Sequence, residues 1–107
     1  MFVGVNLTDA GVLRSLGQDG MVGASDGAPW RVTIIFPSVT PQNNTQTGMV
    51  MVGDGLQPAL PLTESESVTF DTLDPAGITF QAFTSPIYLV VVLARPYVMT
   101  EPRFGGL

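Results

Sequence analysis

The sequence predicts an all-β fold: a single β-sandwich, jelly-roll-like, with extended terminal arms. Three observations carry that expectation. Twelve glycines and nine prolines are spread through 107 residues and punctuate short apolar runs, the rhythm of a sandwich or barrel. Two of the runs alternate apolar and polar residues one by one, the mark of a half-buried strand. No internal repeat or coiled-coil heptad stands out. At this length one domain is expected, spanning 1–107, with 1–7 and 97–107 as candidate arms.

The first thirty residues read in two ways. Thr8 can cap a helical turn through Asp9–Leu16, stopped by Gly17. Gly11 inside that stretch weakens a helix, and two short strands fit as well. Gly17–Pro29 has loop composition. Arg31–Phe36 is a strongly β-forming run stopped by Pro37. Ser38–Thr47 is polar and turn-forming, an exposed loop. Gly48–Gly53 reads as a short buried strand, with a turn at Gly53–Gly55.

Clearer alternation follows. Val68 and Phe70 face one way, Thr69 and Asp71 the other; Ile78, Phe80 and Ala82 share a face opposite Thr79 and Gln81. Between these strands Leu73–Gly77 is a tight turn, with Pro75 presetting φ and Gly77 able to take a positive φ. Ile87–Ala94, bracketed by Pro86 and Pro96, is apolar on both faces. It predicts a central strand covered on both sides, by a second sheet or by a neighbouring chain.

Composition narrows the function. Charged residues make up 12% of the chain, hydrophobic ones 45%, and mean hydropathy is +0.34; ordinary domains carry about 25% charge. A domain this small leaves much of its surface uncovered. So weakly charged an exterior is expected to face neighbours, which points to a structural or interaction protein.

The residue inventory works against chemistry. The chain has no histidine, cysteine or lysine, so the usual zinc, copper and iron sites lack ligands and nucleophilic triads lack a base. No metal and no cofactor is expected. Asp19 with Asp26, and Asp71 with Asp74, are the acidic pairs in loops; without the acidic ladder of a calcium loop they read as turn-formers. Glu64 and Glu66 stand two apart in a Thr/Ser-rich stretch and read as a solvated strand start, not as an acid/base pair. Four dispersed arginines against a net charge of −5 disfavour nucleic acid and anionic membrane surfaces alike. No basic leader and no apolar run longer than eight residues is present, so a protein made and retained in a cytoplasm, or assembled into something there, is expected.

The segment Met49-Val-Met-Val-Gly53, Pro61-Leu-Thr-Glu-Ser-Glu-Ser-Val-Thr-Phe70, Leu73-Asp-Pro-Ala-Gly-Ile78 and Tyr88-Leu-Val-Val-Val-Leu93 resembles small structural proteins of tailed bacteriophages, the capsid decoration (cement) proteins. Glu64-Ser65 stands where that pattern has a Pro-Gly turn. The resemblance implies a β-sandwich that binds the major capsid protein on the virion surface, self-associates as a dimer or trimer, and has no catalytic residues. It also implies contacts through the termini. The candidate interface residues are Phe2, Val3, Trp30, Tyr97, Met99, Arg103 and Phe104. Trp30 keeps two readings, an interface anchor or a residue capping one end of the core. A rival function is a carbohydrate- or receptor-binding module of a spike, fibre or tail, which needs Trp30, Tyr88 and Tyr97 on one exposed face.

Overall fold

Residues 2–17, 29–54, 59–84 and 86–95 are described by the computed structural model. Among these residues eight strands form in chain order: β1 (Phe2–Leu7), β2 (Leu13–Ser15), β3 (Trp30–Phe36), β4 (Met49–Gly53), β5 (Leu60–Thr63), β6 (Glu66–Thr72), β7 (Thr79–Ala82) and β8 (Ile87–Ala94). β1 pairs with β8, β2 with β7, β3 with β6 and β4 with β5, all antiparallel. The pairs are nested, first with last and so inward, like one long hairpin folded over on itself. The β3–β8 and β4–β7 ladders join them into two four-stranded sheets, β1-β8-β3-β6 and β2-β7-β4-β5.

One face of each sheet is buried against the other. The first sheet contributes Val5, Leu7, Val32, Ile34, Phe36, Ile87, Leu89, Val91 and Leu93; the second contributes Val50, Val52, Leu62, Phe80 and Ala82. Leu16 and Ile78 are buried with them, and the Leu16 N–H donates to the Ile78 carbonyl at 2.9 Å. β-branched and aromatic residues at every second position explain these strands, because such side chains pack well on a pleated surface. Burying each large one stabilises the fold by about 1.5–3 kcal/mol at most.

The alternation expected for β6 and β7 is present, and the burial of β3 and β8 alternates as well. β8 is central in its sheet, between β1 and β3. Among the described residues the second sheet covers one side of it: Ile87, Leu89, Val91 and Leu93 are buried, while Tyr88, Val90 and Val92 are half-buried on the outer side.

Two expectations are corrected, and one of two open readings is ruled out. Residues 2–7 are not a free arm but β1, anchored because Val5 and Leu7 enter the core. No helical turn forms over Asp9–Leu16; the chain reverses at positive-φ Gly11 and Leu13–Ser15 pairs with β7, since ladder bonds outweigh one weak turn. In Pro75–Gly77, a 3₁₀ turn, Gly77 is not among the positive-φ glycines, because the i→i+3 bond from Gly77 N–H to the Asp74 carbonyl needs only right-handed backbone.

Candidate protein-binding face and neighbouring cleft

Period-two geometry sends alternate residues of the first sheet outward, and the register places them in rows. Phe2, Val92, Thr33 and Thr69 form one row; Gly4, Val90, Ile35 and Ser67 form the next. Phe2 is 77% exposed. Val90, Val92 and Ile35 are half-buried. Tyr88 lies across Gly4: a Cβ added there would stand 2.8 Å from the Tyr88 hydroxyl. The missing side chain of Gly4 is what lets the ring lie down against the sheet. The result is an apolar stripe running across three strands, β1, β8 and β3.

Charge is nearly absent from this face. Among the described residues it carries only Arg31 and Asp71, directly opposite each other on β3 and β6. Arg31 Nε donates to Asp71 Oδ1 at 2.9 Å and Nη2 donates to Oδ2 at 3.1 Å. This fork holds the Asp71 carboxyl below the usual carboxylate range and raises the Arg31 guanidinium. Beside it the hydroxyls of Thr33 and Thr69 meet at 3.1 Å. Among the described residues the charges on this face therefore balance, on a chain of net charge −5, with Arg31–Asp71 and Thr33–Thr69 paired at one border.

A cleft of about 380 Å³ opens beside Tyr88, where β1 and β8 meet the loop after β3. Asn6, Gln42, Asn44, Thr45 and Thr47 line it with amides and hydroxyls, over Pro86 and Tyr88. Its shape depends on Gln46, 7% exposed. Gln46 Nε2 donates to the carbonyls of Pro37 and Tyr88 at 2.7 and 2.8 Å, and its Oε1 accepts the Tyr88 N–H at 2.9 Å. The loop is exposed, as its composition implies, apart from this buried amide.

The remaining sequence candidates separate. Val3 and Trp30 lie on the inward side and pack against the core. The Arg95 guanidinium stacks over the Trp30 ring, 3.8 Å from its centroid, while Nη1 donates to the Pro29 carbonyl. Trp30 and Tyr88 thus belong to opposite faces of the first sheet, and the aromatic cluster required by the rival reading is not formed by these two. Tyr97, Met99, Arg103 and Phe104 lie outside the described residues, as do Asp19 and Asp26. Phe2 alone of the candidates reaches the stripe; Ile35, Val90 and Val92 are the residues that sequence reasoning missed. The signal was the two-sided apolar run of β8.

Glu64 and Glu66 serve the backbone. Glu66 Oε1 accepts the Thr63 N–H at 2.8 Å, which lowers its pKa, and Glu64 Oε2 accepts the Gly48 N–H at 3.4 Å. They tie down the β5–β6 turn, where Ser65 takes a positive φ and donates its N–H to the Phe36 carbonyl. Among the described residues no three acidic side chains gather as a metal site.

Among the described residues the fold is an eight-stranded antiparallel β-sandwich, and the outer face of its first sheet carries an apolar stripe. Comparison with family models, curated proteins and solved structures returned no match.

Proposed function

We propose that the chain is a structural virion protein that binds the outside of a phage capsid lattice and stabilises it. The observation that carries this reading is the apolar stripe of Phe2, Val92, Val90 and Ile35 on a chain of net charge −5. An apolar sheet face rimmed by polar groups is the ordinary signature of a protein contact surface. The nested strand pairing supports a jelly roll, an architecture used by viral capsid and lectin domains. Each copy needs only a modest footprint, because a lattice repeats it many times.

The partner is the major capsid protein, and the expected location is the capsid surface after assembly in the host cytoplasm. Expanded empty heads of a phage encoding this chain, mixed with the purified protein, should carry hundreds of copies and resist heating better than bare heads. Copies in the tens would place the protein at a tail or vertex instead, and no bound copies would overturn the reading.

The cleft beside Tyr88 favours a second reading, a carbohydrate-binding module. Its lining is uncharged, rich in amides and hydroxyls, and includes an aromatic ring, a combination suited to a neutral sugar. Glycan-array binding by the free protein, lost in Asn44→Ala and Gln42→Ala together, would favour it over capsid binding.

A further inference from the structure

Four strands stand at the edges of the two sheets, and three of them are guarded. β2 is three residues long and holds Arg14; β5 contains Pro61; β6 carries Glu66 and Asp71. Short length, proline and charge are the devices by which natural proteins prevent edge pairing. β1 has none of them. It is six residues long, uncharged and free of proline, and its register with β8 runs one to one without a bulge. Among the described residues no strand pairs with its far side.

We infer that β1 pairs with β1 of a second copy, antiparallel, about a two-fold axis through Gly4. The occupant is argued from the strand itself. Val3-Gly4-Val5 reads the same in both directions, so an axis through Gly4 sets each Val3 opposite Val5 of the other copy. The same register sets Phe2 opposite Asn6. Even-numbered residues meet even-numbered ones, which keeps the core face and the outer face of the two sheets continuous. Val3, half-buried on the core side, gains cover from the second Val5.

Charge selects the same edge. Two copies of an acidic chain repel where β6 would meet β6, with the Glu66 carboxylate on each; β1 carries no charged residue. Isologous pairing of this kind is the usual route to a symmetric dimer. The product is one eight-stranded sheet whose outer face carries both apolar stripes side by side. The pairing stands whether the face binds a capsid or another partner.

The test uses the register. The chain has no cysteine, so F2C/N6C introduces the only thiols. Within one chain these positions are four residues apart along a strand, about 13 Å, beyond disulfide reach. Across the proposed axis they face each other at about 5 Å. Oxidised full-length F2C/N6C should run as a covalent dimer on a non-reducing gel, and neither single variant should.

By sedimentation equilibrium, F2K/N6K should weaken self-association by about tenfold or more, and F2K/N6E should restore it. Both positions are exposed, and unchanged thermal unfolding of the variants would show that the fold is kept. Cross-linking of the single variants as readily as the double would overturn the register. A dimer indifferent to F2K/N6K would overturn the edge, and a monomer whose β1 amides resist hydrogen exchange would mean that the chain's own residues cover it.

Discussion

Gln46 holds Tyr88 by both of its backbone groups: Oε1 accepts the Tyr88 N–H at 2.9 Å and Nε2 donates to the Tyr88 carbonyl at 2.8 Å. The same Nε2 donates to Pro37 at 2.7 Å, so one side chain ties the loop after β3 to the first residues of β8. It stands in for a strand, satisfying backbone groups at the end of a ladder. Gln46→Ala leaves three such groups without their partner. The expected loss is about 2–3 kcal/mol, read as a melting temperature lower by about 10 °C. Gln46→Glu should also destabilise, more so as pH rises and the carboxylate can no longer donate to the two carbonyls. A Gln46→Ala protein with wild-type melting would remove this residue from the scaffold.

The Arg31–Asp71 fork makes a pH prediction. Asp71 has a lowered pKa in the folded protein, through its hydrogen bonds with Arg31 first. A carboxyl of that kind adds stability above its unfolded pKa, near 4, and loses that contribution as pH falls through the lower folded value. Asp71→Asn should therefore flatten the fall in urea midpoint below about pH 4, while lowering stability at neutral pH. Glu66, lowered by the Thr63 N–H, acts in the same direction, so the acid-side slope should shrink in Asp71→Asn but not vanish. An unchanged slope would mean that the pair is broken in solution.

Gly48 occupies a φ of +132°, and a Cβ built there collides with the Thr84 hydroxyl. Gly48→Ala should cost about 1–3 kcal/mol from backbone strain alone, more with the collision. Adding Thr84→Ala should recover only part of the loss, because it relieves the contact and not the dihedral. Full recovery in the double variant, measured by thermal unfolding, would show that contact, not conformation, selects glycine here.

Legibility in the sequence followed side-chain alternation. Val68/Phe70 and Ile78/Phe80/Ala82 announced β6 and β7, and the eight apolar residues of β8 announced a central strand. β1 escaped because Gly4 interrupts its outer row and β5 because Pro61 argues against a strand; β2 stayed one of two readings because three residues cannot establish a period. Pro61 is tolerated at a sheet edge, where one missing N–H faces away from the ladder. The site was harder. Phe2 could be read as a contact residue, but Ile35, Val90 and Val92 look like core until the register shows which side of the sheet they occupy. Gln46 and Gln42 are indistinguishable in a polar loop; only the packing of that loop buries one amide and leaves the other in the cleft.

The most direct measurement is the saturation stoichiometry on expanded empty heads, by quantitative gel, of wild-type protein against I35D/V92D. These substitutions place two carboxylates on the outer stripe without entering the core. The expected result is saturable wild-type binding at hundreds of copies per head, abolished in a variant that remains folded. Equal binding by the two proteins would contradict a docking role for this face.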